Sequence, residues 1–249
     1  MEKVLNVLLS HQAPAALEKV LHYWNATAPG AAVLLAHGGA AADFAALHFQ
    51  PRLFVDDPRL RTRDHQRDAQ SLTGLLREVR KWLLGQEVAF THLHFIEFDH
   101  LPLVADLNAR QLERSRAENA DVLAFHLQRI DGTSHPHFLA QDARAEFAPW
   151  LAALSRRDDP AAIFSMLGTG SFWTREAFDA VAECEEPFPI YYELYLPTLA
   201  HHLGFRLRDF AEQNAFVSHR GERGAEMNEA RARGAWSLHP VKQIPSAHE

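Results

Sequence analysis

The stretch that decides the fold is Val88-Ala89-Phe90-Thr91-His92-Leu93-His94-Phe95-Ile96, followed directly by Glu97-Phe98-Asp99-His100. The apolar run predicts a buried strand that ends at two carboxylates. Side chains two residues apart in an extended chain point to the same side, so Glu97 and Asp99 can face one crevice. Carboxylate oxygens are ligands that hard divalent cations prefer, and such a cation can hold a diphosphate. The stretch therefore predicts a metal and phosphate site.

Length and composition narrow the class of protein. The 249 residues suffice for a substantial core, and the single cysteine, Cys184, excludes a disulfide framework and a cysteine-based zinc cluster. The formal charge of −7 gives no global field that favours nucleic acid. No run approaches the ~18 apolar residues of a membrane span, and the start, Met1-Glu2-Lys3-Val4, lacks the apolar core of a signal peptide. We expect a soluble cytoplasmic protein with no transmembrane segment and no nucleic-acid partner.

Short apolar strands alternate with helices through the first half of the chain. The predicted strands cover Val4 to Leu9, Ala32 to Ala36 and Arg52 to Val55, and the predicted helices cover Pro14 to Trp24 and Ala69 to Leu84. This alternation is typical of βαβ units and a mostly parallel sheet. Ligands of such sheets bind beyond the carboxyl ends of the strands, which is where Glu97 and Asp99 lie.

The regular alternation is lost in the second half. A helix near Leu103 to Ala117 and a strand at Asp121 to Leu127 precede a polar stretch that contains Gly132, Ser134 and Pro136. From Ile163-Phe164-Ser165-Met166-Leu167 the chain passes through Gly168-Thr169-Gly170-Ser171 into a predicted helix that starts near Thr174. A helix around Tyr191 to Leu203 and a strand at Phe205 to Phe210 follow.

In their order, these features resemble the GT-A glycosyltransferases, in particular glycosyltransferase family 2. The resemblance rests on the N-terminal β/α half, the pair Glu97-x-Asp99, the Gly-Ser-Phe-Trp-Thr-Arg-Glu-Ala-Phe segment at 170 to 178, and Glu193 followed by a helix and Leu203-Gly204-Phe205-Arg206. It implies a single α/β domain over residues 1–249, with a mostly parallel central sheet flanked by helices. Residues 1–128 would form the nucleotide- and metal-binding half, and residues 129–249 the less regular acceptor-side half and tail.

The resemblance also implies an activity and a cofactor. Such an enzyme moves a sugar from a nucleotide-sugar donor to an acceptor, and its acidic pair binds Mn²⁺ or Mg²⁺ on the donor's diphosphate. Here Glu97 and Asp99 would be the metal ligands, and His239, a histidine near the C-terminus, would complete the metal sphere. If the reaction inverts the configuration at the anomeric carbon, Glu193 would be the catalytic base that activates an acceptor hydroxyl. The sugar, the acceptor, and whether the reaction retains or inverts the configuration stay open.

Four further residues are candidates for binding the nucleotide. Ser10 and His11 end the first predicted strand and would face the nucleotide, and Asp56 and Asp57 follow the third and would approach the base or ribose. The same residues are equally well explained as turn or capping residues, so both interpretations stay open.

Two residues of the C-terminal region have alternative roles. His219 is a rival to His239 as a metal ligand, and Lys242 could steady a phosphate as a point charge. An ordinary surface role explains each of them as well.

The sequence also contains residues that other classes of protein could use. A metallohydrolase would use His92, His94 and Asp99, but the two histidines alternate on a strand without a recognised ligand spacing. No Gly-x-Gly-x-x-Gly follows the first strand, which disfavours a dehydrogenase, and no Gly-x-Ser-x-Gly elbow supports a serine hydrolase. The alternative that stays open is a catalytically degenerate GT-A-like domain that binds a nucleotide, glycan or protein partner, because Glu97 stands where the family usually has Asp.

Overall fold

A seven-stranded sheet forms the centre of the molecule. The computed structural model describes residues 2–57, 68–133, 144–184, 188–218 and 227–242. The strand order in the sheet is β10-β6-β9-β4-β1-β2-β3. These strands are β1 (Val4–Ser10), β2 (Ala32–His37), β3 (Arg52–Phe54), β4 (His92–Glu97), β6 (Val122–Ala124), β9 (Ser171–Thr174) and β10 (Leu207–Asp209).

Two short strand pairs and eight helices complete the described part of the chain. The pairs are β5 (Leu101–Pro102) with β11 (Ser237–Leu238), and β7 (Gln128–Arg129) with β8 (Phe164–Ser165), both antiparallel. The helices are α1 (Pro14–Thr27), α2 (Ala41–Ala46), α3 (Asp68–Leu84), α4 (Leu107–Ala117), α5 (Arg144–Leu154), α6 (Arg175–Ala182), α7 (Tyr192–His202) and α8 (Met227–Ala232), with a short 3-10 helix at Ala211–Gln213.

The predicted fold class, α/β with a mostly parallel central sheet flanked by helices, is confirmed. Strands β3, β2, β1 and β4 run parallel to one another, and β10 runs parallel to β6. Only β9 is antiparallel to its neighbours within this sheet, and it lies between β4 and β6. Since β1 to β4 are parallel, their carboxyl ends share one edge of the sheet, and Glu97 at the end of β4 is in register with Leu9 of β1.

Both faces of the sheet are covered by apolar side chains of helices. Alternate residues of β1 point to opposite faces, so Val7 packs in the cluster that includes Val79 of α3 and Leu199 of α7. Leu8 packs on the other face, with Leu17 of α1. Burial of both faces explains why β1 and β2 contain near-continuous apolar runs.

Several predicted elements are present with different bounds. The strand predicted from Val88 begins only at His92, because Val88 is 40% exposed, and it includes Glu97 as its last residue. The strand predicted over Asp121 to Leu127 stops at Ala124, because the chain turns at His126, whose φ is 51°. The predicted strand at Phe205 to Phe210 is the three-residue strand β10.

Two predicted helices in the middle of the chain are present, but the segments that precede them differ from the prediction. The helix predicted from Leu103 begins at Leu107, because the preceding residues pair with the C-terminal region: Leu103 N–H donates to the carbonyl of Trp236, 2.8 Å away. The passage from Gly168 into a helix omitted strand β9. Its Phe172 and Trp173 point to opposite faces of the sheet, and Thr174 then caps α6 by accepting the N–H of Ala177, 3.3 Å away.

The structure also bears on membrane association. None of the helices in the described ranges combines the length and the apolar character that a bilayer crossing requires.

Candidate metal centre

Three side chains that the sequence predicts as metal ligands converge at the carboxyl edge of the sheet. Ligand atoms of Glu97, Asp99 and His239 all lie within 4.8 Å of one another. Nε2 of His239 is 3.4 Å from Asp99 Oδ1 and 3.7 Å from Glu97 Oε2. Glu97 is the last residue of β4, and a turn closed by the bond from His100 N–H to the Glu97 carbonyl, 3.0 Å long, brings Asp99 beside it.

His239 reaches this edge because the C-terminal region folds back over the sheet. Strand β11 pairs with β5, which directly follows the acidic turn, and a β-bridge joins Val217 to His239. The ring is oriented by its other nitrogen, since Nδ1 lies 2.9 Å from the carbonyl of Ser218. A carbonyl only accepts, so Nδ1 carries a proton, and Nε2 is the atom that faces the carboxylates.

Asp99 is the most buried of the three residues, with 6% of its surface exposed. Its Oδ2 accepts a hydrogen bond from Lys242 Nζ at 3.1 Å, and its backbone carbonyl accepts the N–H of Val241 at 2.9 Å. Oδ1 is buried without a hydrogen-bond partner among the described residues. Burial would raise the pKa of Asp99, but His239 and Lys242 outweigh it and hold the pKa below its ordinary value, so the side chain is a carboxylate.

The charge on His239 depends on the same pair of carboxylates. Burial alone would lower its pKa, but Asp99 and Glu97 outweigh that effect and raise the pKa to about 9. At neutral pH the ring is therefore a cation held between two anions. Two carboxylates and an imidazole nitrogen are a donor set that Mn²⁺ or Mg²⁺ accepts. The residues fit a divalent ion, provided that Nε2 first loses its proton.

Glu193, the predicted base, lies in the first turn of α7, and its charge interacts with the charges of Glu97 and His239. It is 4% exposed, and its Oε1 accepts the N–H of Gly168 at 2.7 Å. Burial, followed by a weaker contribution from the Glu97 charge, raises its pKa to about 7 against the bonds from Gly168 and Tyr191. A carboxyl that is half ionised near neutral pH can accept a proton during a reaction.

The four residues predicted to bind a nucleotide follow β1 and β3. Ser10 ends β1, and its Oγ accepts the N–H of Gln12 at 3.0 Å, as expected for a turn residue. His11 is exposed, and its ring approaches Phe98, the residue between the two acidic ligands, at a centroid distance of 6.4 Å. His11 therefore lies near the turn that contains the acidic pair. Asp56 and Asp57 follow β3, which β2 separates from β1.

The alternative roles are resolved in part by these contacts. His219 lies outside the described residues. His92 stacks on Phe172 at 5.2 Å, and His94 Nδ1 lies 3.0 Å from Asn6 Oδ1 inside the core, where burial lowers the His94 pKa to about 3. Within the described ranges, neither histidine joins a group of three metal-ligating side chains.

Sequence reasoning missed three polar residues that surround the centre. Thr169 accepts the N–H of Glu97 through Oγ1 at 2.9 Å, and the His100 ring lies between the hydroxyls of Thr169 and Ser237. His100 directly follows Asp99, but no local pattern predicts that its ring is buried. The two hydroxyl residues belong to distant segments of the chain, so no local pattern marks them.

Comparison with known proteins gives no family assignment. No protein-family model matches the chain, and no curated protein does. Among solved structures, Rv0371c from Mycobacterium tuberculosis H37Rv in complex with manganese is 14% identical, with a TM-score of 0.42 over 84% of this chain and 87% of that one. CMP:2-keto-3-deoxy-manno-octonic acid synthetase complexed with CTP is 15% identical, with a TM-score of 0.45 over 84% and 89%. S. aureus TarS is 8% identical, with a TM-score of 0.40 over 83% and 57%.

These identities and TM-scores are low. They therefore assign no function to this chain.

Proposed function

We propose that this protein is a metal-dependent glycosyltransferase that moves a sugar from a nucleotide-sugar donor to an acceptor. One observation carries the proposal: Glu97, Asp99 and His239 converge at the carboxyl edge of a mostly parallel sheet, with ligand atoms that all lie within 4.8 Å of one another. Parallel α/β sheets bind their ligands at this edge.

The acidic pair and His239 are proposed to hold Mn²⁺ or Mg²⁺. A divalent ion bound there would neutralise the donor's diphosphate and make the nucleoside diphosphate a better leaving group. Asp99 contributes a carboxylate that is already ionised, while His239 gives up its Nε2 proton when the ion binds. Lys242, whose Nζ is 3.1 Å from Asp99 Oδ2, supplies a positive charge beside the phosphates.

Glu193 is proposed to be the general base. As the acceptor oxygen attacks the anomeric carbon, its proton passes to the Glu193 carboxylate, and the bond from that carbon to the donor phosphate breaks. The bond from Gly168 N–H to Oε1 orients the carboxylate. A pKa of about 7 makes Glu193 a stronger base than an exposed glutamate while leaving a large ionised fraction at neutral pH.

The nucleotide is proposed to lie along the carboxyl ends of β1 and β3, against Ser10, His11, Asp56 and Asp57. The ring contact between His11 and Phe98 supports a continuous site from the end of β1 to the metal centre. The acidic residues after β3 suit hydrogen bonds to ribose hydroxyls or to a base.

A ligand screen followed by a transfer assay tests the proposal. The thermal unfolding midpoint would be measured with each nucleoside diphosphate and nucleotide sugar, with and without Mn²⁺, because a ligand of the native state raises that midpoint. We expect a Mn²⁺-dependent increase with one nucleotide class, and release of that nucleoside diphosphate when an acceptor is added. A Mn²⁺-dependent increase without any turnover would instead favour the catalytically degenerate binding domain.

A further inference from the structure

His100 is a fully buried polar side chain that joins two distant segments of the chain. Its exposed fraction is 0%, although it directly follows Asp99 in sequence. Nδ1 lies 3.1 Å from Thr169 Oγ1, and Nε2 lies 2.8 Å from Ser237 Oγ. A hydroxyl can donate or accept, so a neutral ring satisfies both contacts in either tautomer.

Thr169, the first hydroxyl partner of His100, also contacts the backbone of Glu97. Thr169 Oγ1 also accepts the backbone N–H of Glu97 at 2.9 Å, and Thr169 is itself buried. The adjacent Gly170 has a φ of +81°, and a Cβ at that position would approach His100 Cε1 to 2.5 Å. A glycine there therefore makes room for the ring next to the hydroxyl that it contacts.

Ser237, the second hydroxyl partner of His100, lies close to His239 in sequence. Ser237 begins β11, two residues before His239, and it is opposite Pro102 in the pairing of β11 with β5. The same segment is tied back to the acidic turn by the bond from Val241 N–H to the Asp99 carbonyl, 2.9 Å long. The contacts of His100 thus lead from the backbone of one proposed acidic ligand to the strand that His239 directly follows.

We infer that His100 is a positioning residue: through Thr169 and Ser237 it holds the Glu97–Asp99 turn and the segment from Ser237 to His239 in the arrangement that binds a divalent cation. This inference rests on the proposed metal-dependent function. Removing either hydroxyl leaves a buried nitrogen of His100 without its hydrogen-bond partner, which costs free energy. The protein can reduce this cost by shifting the segment that contained the hydroxyl, and with it the nearby metal ligand. Groups that orient metal ligands from behind typically change metal affinity by roughly 10- to 100-fold when they are removed.

A matched pair of serines separates this role from general stability. Ser155 Oγ lies 2.8 Å from Nδ1 of His202, which is also fully buried but packs against the carbonyl of Ala162 in a different part of the fold. Ser237→Ala and Ser155→Ala therefore remove the same kind of contact from a buried histidine. Thr169→Val removes a hydroxyl while keeping the shape, and Thr169→Ser keeps the hydroxyl.

The test is the dissociation constant for Mn²⁺, measured by calorimetry on the full chain of each folded variant. We expect Ser237→Ala and Thr169→Val each to weaken Mn²⁺ binding by about tenfold or more. Thr169→Ser should stay close to the wild type, and so should Ser155→Ala. Amide hydrogen exchange in the metal-free protein gives a second readout. The Glu97 amide, whose N–H is bonded to Thr169 Oγ1, should exchange faster in Ser237→Ala but not in Ser155→Ala, because His100 joins the Ser237 hydroxyl to the Thr169 hydroxyl.

The outcomes separate the two proposals. If the wild type binds Mn²⁺ and both hydroxyl deletions bind it equally well, the positioning role of His100 is overturned while the metal site stands. If the wild type itself binds no Mn²⁺, the proposed function fails, and the positioning role fails with it. Weakening by Ser155→Ala to the same degree would also overturn the inference, because the effect would then follow stability alone.

Discussion

Oδ1 of Asp99 faces Nε2 of His239 at a distance of 3.4 Å, although one residue follows the fourth strand and the other lies near the C-terminus. The histidine is oriented by the Ser218 carbonyl at Nδ1, so only Nε2 is available to the carboxylates. With its pKa raised to about 9, His239 is protonated at neutral pH. A proton and a divalent cation therefore compete for the same nitrogen.

This competition predicts that Mn²⁺ affinity rises with pH. Below a pKa of about 9 an ion must displace the Nε2 proton, so the affinity should increase by up to about tenfold per pH unit between neutral pH and 9, and then level off. Anaerobic calorimetry across this range measures the slope. His239→Asn should bind more weakly at every pH and show little slope above pH 7. A slope in that variant equal to the wild type's would assign the competing proton to another group.

The metal-free protein should lose stability over an overlapping pH window. The folded-state pKa of His239 is raised above its ordinary value of 6.5, so its stabilising contribution is complete below 6.5 and disappears as the pH rises through about 9. Chemical denaturation of the wild type and of His239→Asn, both without metal, measures the difference. We expect the gap in the free energy of unfolding to narrow between neutral pH and about 9, and a constant gap would argue against a charged His239.

Glu193→Gln should reduce activity while stabilising the protein at alkaline pH. The substitution removes the base, and loss of general base catalysis typically lowers the rate by roughly 100- to 10,000-fold. Burial raises the Glu193 pKa from 4.5 to about 7, so the native state loses stability as the pH rises through that interval, by at most on the order of 3 kcal/mol. Turnover and urea denaturation at about pH 5 and 8 check both effects. A variant that retains activity would remove Glu193 from the mechanism.

Lys242→Gln should strengthen the binding of Mn²⁺ alone and weaken that of the nucleoside diphosphate. Lys242 Nζ is 3.1 Å from Asp99 Oδ2, so its charge opposes a second cation, and its removal should lower the dissociation constant for Mn²⁺ a few-fold. The exposure of the lysine side chain, 74%, keeps this effect small. Calorimetry with each ligand in turn measures the two changes. Lys81→Gln is a control, because Lys81 pairs with Glu78 on helix α3.

Gly170→Ala should be more destabilising than the same change at another glycine of similar backbone conformation. Both Gly170 and Gly30 have positive φ, +81° and +83°, but a Cβ at Gly30 has no atom within 4 Å. Gly30→Ala should therefore cost about 1 kcal/mol, and Gly170→Ala about 2 to 4 kcal/mol because its Cβ also meets His100 and Phe125. Denaturant unfolding compares the two variants. Equal losses of unfolding free energy in the two variants would mean that the loop around Thr169 can move to accommodate the added Cβ.

Local patterns in the chain predict the first half of the fold well and the second half less well. Strands β1 and β2 and helices α1 and α3 have hydrophobic periods that reveal them directly. Strand β9 was missed because its four residues follow a glycine-rich turn and lead straight into a helix. Its position as the antiparallel strand between β4 and β6 depends on pairing that no local pattern reports.

The residues of the candidate site likewise include some that local sequence patterns predict and some that depend on contacts between distant segments. Glu97 and Asp99 could be predicted because they lie two residues apart where one strand ends. His239 could be predicted because a histidine near the C-terminus fits the resemblance to GT-A enzymes. Thr169 and Ser237 could not, because their importance arises only when the glycine-rich loop and the C-terminal strand meet at His100. The roles of Ser10, His11, Asp56 and Asp57 stay predictions.

The most direct test of the central claim is a calorimetric titration of Mn²⁺ into the wild type and into Asp99→Asn, in the presence of the nucleoside diphosphate found by the screen. Asp106→Asn is the matched control, because Asp106 is an exposed carboxylate that pairs with Arg110 on helix α4. We predict saturable binding by the wild type and the control, and a loss of at least about 100-fold in Asp99→Asn, because Asp99 is the most buried of the three proposed ligands. Equal Mn²⁺ affinity in all three proteins, each folded, would contradict the metal centre proposed at Glu97, Asp99 and His239.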